Sequence, residues 1–439
     1  MHINKLFRHR TRPAQPRHWW PRLAAPLAAC LTAACASAAL GSTAAIAASP
    51  PSALTCDAGG PVPCYTPQEY QIAYGVAPLL RRGIDGRGQT VALLERAQAP
   101  SSHGGASDIR KDLAAFDKRF GLPQATLHVV NTIAKSATPY VAGEEEFGDA
   151  EVVHAFAPGA TLDIVLVPAD ATSSAANFAD AIAKGVREGT ALHASVLSIS
   201  GSGGEHFFTR AEVAEVHAAL EQARDQHLTV AGSSGDSGAI SSNGGPPVQV
   251  NLPASDPLAL GVGGTILDAT PAGRYLGEMA WNDNTEASGG GYSTLFTRPS
   301  YQDGLPSARA TRGVPDVSAN ADPSTAMALA FVAHGHVGLL TASGTSSSTP
   351  LWAGVIALAD QEAGRHLGFV NPALYAIARG PAYHRAFHDV VTGDNSILWP
   401  TGVYVGYTAG HGWDPVTGLG SPDAQYLVPL LARTGKGEQ

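Results

Sequence analysis

Charged residues are scarce in this chain: Lys, Arg, Asp and Glu make up 15% of its 439 positions, against 44% apolar residues. Disordered chains show the opposite balance, so the composition excludes one and supplies a full hydrophobic core. Positive charge is in shortest supply. With 28 Lys and Arg against 37 Asp and Glu the formal net charge is −9, which leaves no basic footprint for nucleic acid. The four cysteines include no C-x-x-C pair and no His/Cys cluster, which removes zinc from consideration. No repeat of roughly 20–50 residues is present, so solenoids and propellers are excluded.

The basic residues that do cluster stand at the start. Lys5, Arg8, Arg10, Arg12, Arg17 and Arg22 precede an Ala-rich apolar run over 23–48. That order, closed by Ala45-Ile46-Ala47, reads as a secretory signal over 1–47, cut near Ala47. It predicts a secreted protein with no stable membrane insertion after processing. A membrane anchor is the rival reading, opposed by the Ala content and by Gly41, Ser42 and Thr43. Leu27-Ala28-Ala29-Cys30 also has the form of a lipoprotein processing box. Cys30 and Cys35 fall in the leader. The remaining pair, Cys56 and Cys64, stand close together in an exported chain, which predicts a small disulfide loop in a linker or N-terminal arm over 48–64.

From Tyr65 onward, short apolar runs alternate with helical patterns. Strands are predicted at 90–94, 162–167, 196–200, 228–231, 259–262 and 327–332, and helices at 177–188, 210–226 and 349–362. Alternation of this kind predicts parallel βαβ units, hence a doubly wound, mainly parallel α/β sheet with helices on both faces. One domain over 65–432 and a polar tail over 433–439 is the simplest division. Ligands in such sheets bind beyond the carboxyl ends of the strands.

Three segments carry candidate chemistry. Glu145 and Asp149 share one helical face with Val152, Val153 and Phe156. Two carboxylates on an inward face repel unless they share a proton, which raises one pKa and suits acid; a solvated acidic turn with Glu144, Glu146 and Glu151 is the plainer reading. The segment Thr341–Pro350 places small residues and hydroxyls before an apolar helix, where the dipole favours a developing alkoxide, although such a segment is also an ordinary cap. Gly235-Asp236-Ser237-Gly238 follows a predicted strand. It imitates the nucleophile tetrad of trypsin-like β-barrels, but neither that fold pattern nor a suitable histidine context is present. An Asp on a tight turn fits a site residue, or a plain Asx-turn. A histidine-dependent hydrolase lacks its signatures here: there is no G-x-S-x-G elbow and no subtilisin-type His motif, and His154, His334 and His336 read as packing or surface residues.

Taken together, the segments over 65–431 resemble the sedolisin (serine-carboxyl peptidase) family. The motifs that carry the likeness are Gly83-Ile84-Asp85-Gly86 with Gly88-Gln89-Thr90-Val91-Ala92, Ala157-Pro158-Gly159-Ala160, Val262-Gly263-Gly264-Thr265, Ser288–Ser293, Gly313–Val317 and, most specific, S-G-T-S-x-x-x-P at Ser343–Pro350. The resemblance implies a subtilisin-like fold and an acid endopeptidase acting on polypeptides. Ser346 becomes the nucleophile, Glu145 the general base, Asp149 its orienter, Asp236 the oxyanion partner, and Glu95 an extension of the carboxylate network. Asp149 is placed by counting eight residues back from Ala157. A non-catalytic peptide-binding or scaffold protein on the same fold is the alternative, opposed by retention of all four central residues.

The resemblance also implies one structural Ca²⁺ held by Asp389, Asp414 and the carbonyls of Val390, Gly410 and Gly412. Oxygen donors of this kind suit a hard cation. Substrate binding would use Ser198 and Ser200, and Ser288, Gly289 and Gly290, as exposed backbone edges. The chain departs from the family in three places. Gly201-Ser202-Gly203-Gly204 stands where many members carry a tryptophan, Gly148 stands where a large apolar residue precedes the Asp, and only about 17 residues separate Ala47 from Tyr65 where a long prosegment is usual.

Overall fold

The computed structural model describes residues 54–57, 60–97, 108–133, 144–241, 247–333, 335–400 and 402–434, the side chains of 144–147 excepted. The leader and most of the C-terminal tail lie outside these residues, so the signal reading does too. Among the described residues no helix is long and apolar enough to cross a membrane.

Eight strands form the central sheet: β1 Thr90–Arg96, β2 Thr126–Asn131, β3 Thr161–Val167, β4 Val196–Ile199, β5 Thr229–Ser233, β6 Leu260–Ala269, β7 Tyr275–Ala280 and β8 Val317–Asn320. Their order is β7-β6-β5-β4-β1-β3-β2, with β8 also pairing β6. Every pairing is parallel except β6 with β7. The expected doubly wound α/β sheet is thus present, with one antiparallel edge strand.

The strands are apolar on both sides because both faces are covered. Val91 and Leu93 of β1 join one core with Leu162, Ile164 and Leu166 of β3, whereas Ala92 and Leu94 join the other with Val165 and Val167. Helices α1 Ile109–Phe120, α2 Glu144–Phe156 and α5 Thr345–Ala363 fill the first face. Helices α3 Ala175–Ala191 and α4 Arg210–Asp225 fill the second. Local chemistry starts them: Ser174 accepts from the Asn177 N–H ahead of α3, and Thr209 with Glu212 makes a capping box ahead of α4.

The run predicted at 327–332 is a strand of a different sheet. Ala328–Ala333 pairs antiparallel with His336–Thr341, and this hairpin continues into Thr55–Asp57 and Pro61–Pro63. Cys56 and Cys64 are bonded there, both buried, so the disulfide closes the arm on itself while strand pairing at Asp57 and Leu340 joins it to the hairpin.

Candidate active site

Helices α2 and α5 approach closely because Gly354 lies against Phe156; a Cβ at Gly354 would stand 2.7 Å from the Phe156 Cβ. This packing brings the start of α5, with Ser346 as its second residue, towards Asp149 on α2. The link between them is Ser200, just beyond β4. Its buried hydroxyl makes a short hydrogen bond to Asp149 Oδ2 and lies 3.1 Å from the Ser346 carbonyl oxygen. Ser346 Oγ in turn donates to the Ser200 carbonyl at 3.2 Å, an oxygen that also accepts from Ser233 Oγ at 2.7 Å. Asp149 and Ser346 thus meet through one shared residue at the carboxyl end of a central strand. The solvated-turn reading of this acidic stretch does not hold: Asp149 and Glu151 are both buried. Burial pushes the Glu151 carboxyl well up, opposed by the hydrogen bond it accepts from Ala330 N–H and reinforced by Asp112 and Asp117. Glu145 lies one helical turn before Asp149 on α2, and its side chain is outside the described set.

The start of α5 is unusual. Gly344 at the N-cap makes no side-chain cap, despite the Ser-rich sequence. The cap comes instead from Asp236, whose Oδ1 accepts from Thr345 N–H and Thr345 Oγ1, both at 2.8 Å. Thr345 Oγ1 accepts from Gly235 N–H at 3.1 Å, locking the two loops together. Gly344 has φ +79°, and a Cβ there would stand 2.7 Å from Asp236 Oδ2. Only glycine satisfies both demands. Asp236 therefore stands beside the candidate nucleophile, which an isolated Asx-turn would not explain. Thr345 is the residue that reading the sequence missed; its signal was its place between Gly344 and Ser346 in S-G-T-S.

Glu95 is buried at the end of β1, opposite Leu166. The residues expected to form open edges are placed otherwise. Ser198 lies inside β4, paired on one side with Leu93 and on the other with Ala231, so no edge is free there. Ser288 Oγ accepts from Gly264 N–H and donates to the Val416 carbonyl. Gly289 N–H donates to Gly235 O at 2.7 Å, and the Ser288 and Gly290 carbonyls accept from Asn395 Nδ2. These backbones buttress the Asp236 loop from behind, and Ser198 with the Ser288 and Gly289 N–H groups offers no free edge because internal partners already take them. Ser200 alone of that group reaches the cluster. Gly201 and Gly203 are seated on the Phe178 and Phe208 rings: a Cβ at Gly201 would stand 3.3 Å from Phe178 and one at Gly203 3.2 Å from Phe208. At Gly148 the neighbouring space belongs to Leu329 of the hairpin, 3.0 Å from a Cβ built there. His154 is buried between Asp117 Oδ1 and the Pro123 carbonyl, His336 is exposed on its strand, and His334 lies outside the described residues.

Asp389 and Asp414 both meet the 410–414 segment, which adjoins the Ser288–Gly290 buttress through Pro415 and Val416. Asp389 Oδ1 accepts from Tyr383 OH at 2.9 Å and from Gly412 N–H at 3.0 Å; Asp414 Oδ2 accepts from Gly410 N–H at 3.3 Å. Val390 O accepts from Thr417 Oγ1 at 3.4 Å. Burial pushes the Asp414 carboxyl up to about 6, a demand for compensating positive charge. Among the described residues no group of three or more His, Cys, Asp or Glu gathers for a metal. The set is two carboxylates plus carbonyls, all hard oxygen donors, and it fits Ca²⁺ by chemistry.

Residues 127–371 match the Subtilase family model. Kumamolisin of Bacillus sp. (strain MN-32) is 34% identical over 382 residues, covering 84% of this chain and 63% of that protein. Sedolisin of Pseudomonas sp. (strain 101) is 34% identical over 224 residues, 48% of this chain and 36% of its own length. Tripeptidyl-peptidase 1 of Homo sapiens is 32% identical over 259 residues, with 54% and 43% covered. The chain thus spans less than two thirds of these relatives' lengths. A solved structure, Pseudomonas sedolisin (serine-carboxyl proteinase) complexed with two molecules of pseudo-iodotyrostatin, superposes with TM-score 0.70 at 26% identity, covering 86% of this chain and all of that one. The sheet, with a serine at the head of a helix crossing behind it, defines a subtilisin-like fold. Within that class, the chain belongs to the sedolisin family of serine-carboxyl peptidases.

Proposed function

We propose that this protein is a secreted, acid-acting serine-carboxyl endopeptidase that hydrolyses polypeptides through an acyl-enzyme on Ser346. The observation that carries this reading is the joining of Asp149, Ser200 and Ser346 on one side of the helix start and Asp236 on the other. In the first step Ser346 Oγ attacks the peptide carbonyl carbon while its proton passes to Glu145, with Asp149 holding the base in place. The oxyanion that forms takes a hydrogen bond from Asp236, which can donate only as a protonated acid. The C–N bond then breaks, Glu145 returns the proton to the leaving amine, and an ester on Ser346 remains. Water attacks that ester, gives a proton to Glu145, and the C–O bond breaks to release the acid and restore the serine hydroxyl. Glu95 extends the same carboxylate network.

Stability in acid is supported beyond the site. Burial raises Glu278 and Asp360 to about 7 and Asp423 to about 6, so the folded chain holds protons that an unfolded one would release. A Ca²⁺ held by Asp389, Asp414 and the carbonyls of Val390, Gly410 and Gly412 would fix the C-terminal loops and take no part in the chemistry. Export follows from the leader's pattern. The test is a pH profile on a peptide library with wild type and Ser346→Ala. Cleavage in acid that fades towards neutral pH and vanishes in the variant is expected; turnover that persists in Ser346→Ala overturns the assignment.

A further inference from the structure

A second feature of the same face has no place in the chemistry above. Tyr292, Pro306, Ser307, Ala308, Arg309, Tyr407, Thr408 and Pro415 line an open cleft of about 420 Å³. Its walls are continuous with the segments that buttress Asp236. Gly289 is bonded to Gly235, Gly290 packs on the Pro415 carbonyl, and a Cβ at Gly291 would stand 2.8 Å from the Tyr407 ring. From Gly289 to Tyr292 is three residues, about 10 Å of strand, or about three residues of an extended peptide.

The cleft holds one charge. The Arg309 guanidinium lies 4.1 Å from the Tyr292 ring centre and 5.5 Å from that of Tyr407, and the two rings meet edge to face at 5.4 Å. Tyr292 is itself fixed, its OH donating to the Ser307 carbonyl at 2.5 Å. Among the described residues no carboxylate pairs with Arg309, and none lines the cleft, on a chain whose net charge is −9. Stacking fixes a guanidinium plane while leaving its N–H edge to grip a planar anion in two places.

The geometry points to this cleft as a substrate subsite for a peptide carboxylate, read by Arg309 held between Tyr292 and Tyr407. It rests on the peptidase reading and adds a preference that reading lacks. Because a glutamate side chain loses its charge near pH 4, the preference must itself depend on pH.

The test compares peptides carrying Glu, Gln or Lys at each position flanking the cleaved bond, with amidated and free C-termini, on wild type, Arg309→Met, Arg309→Lys and Arg309→Glu. At pH 5.5, kcat/KM for Glu should exceed that for Gln by about tenfold at one position, the scale of a partly exposed charge-assisted contact. The ratio should fall to about one at pH 3 and in Arg309→Met, survive in part in Arg309→Lys, and turn towards Lys in Arg309→Glu. Loss on amidation alone assigns the carboxylate to the chain terminus; persistence assigns it to the side chain. An unchanged Glu:Gln ratio in Arg309→Met, or no such ratio in wild type, overturns the subsite. Peptide binding to Ser346→Ala, read by fluorescence anisotropy, separates the two ideas. A Glu preference there without turnover in wild type sinks the peptidase and leaves the cleft standing; turnover without any preference does the reverse.

Discussion

Replacing Asp360 by asparagine should flatten the dependence of stability on pH. Asp360 is fully buried near the end of α5, its Oδ1 accepting from Leu367 N–H at 2.7 Å. Burial lifts its pKa from 3.8 to about 7, against the opposing pull of Leu367 N–H, Ser195 and Arg365. The sign follows from proton binding: between about 4 and 7 the folded state holds a proton that the unfolded state has released. Stability is therefore complete below pH 4 and declines as pH rises through 7. A shift of about three units corresponds to about 4 kcal/mol. For a folded unit of this size, with an unfolding entropy of about 0.8 kcal/mol/K, that is about 5 °C in Tm. Asparagine keeps the acceptor for Leu367 and cannot ionise, so the variant should match wild type at pH 4 and exceed it at pH 8. Denaturant melts at both pH values would show the difference, and Asp360 lies 14 residues from Ser346, about 21 Å along the helix, so peptide cleavage serves as an independent check on folding. Wild-type and variant curves that stay parallel from pH 4 to 8 would refute the reasoning.

Other perturbations follow from the same contacts. Gly344→Ala forces a left-handed φ on a residue with a Cβ against Asp236; a loss of about 2 kcal/mol in stability and at least a hundredfold in kcat is expected, read by melting and steady-state kinetics. Ser200→Ala removes the hydroxyl between Asp149 and Ser346, and should lower kcat about tenfold or more with KM little changed, in a protein that melts within about 3 °C of wild type. Chelation should lower Tm in wild type and have no further effect in Asp389→Asn, as followed by calorimetry with and without added Ca²⁺. Replacing both Cys56 and Cys64 by serine opens a nine-residue loop and should cost about 2.5 kcal/mol by the loop-entropy relation, measured by urea melts.

The central sheet was legible because its strands are uninterrupted apolar runs between helical periods, and five of the six predicted strands stand in it. The exception, 327–332, has the same apolar character, but Glu151 and Asp112 draw its N–H groups at Ala330 and Val332 into a separate hairpin. Partnership of that kind joins residues about 180 and 220 positions apart and leaves no local trace. β2 escaped notice because one side of it is exposed and its apolar run is short. In the site, Ser346 and Asp236 were readable from motif and turn. What could not be read was that a hydroxyl at 200 would join Asp149 to the serine, since its role depends on where β4 ends against α5. The open edges expected at Ser198 and at the Ser288 and Gly289 N–H groups were lost for a related reason: a motif names residues, and only packing decides which of their backbone groups are already taken.

The cap that Asp236 places on Thr345 crosses 109 positions of sequence. A helix whose first N–H is satisfied locally can begin as soon as it is synthesised; this one waits for a distant loop to arrive. The posture of the serine therefore depends on the docking of two segments far apart in the chain. Amide exchange at Thr345 should accordingly be slow only in the fully assembled protein.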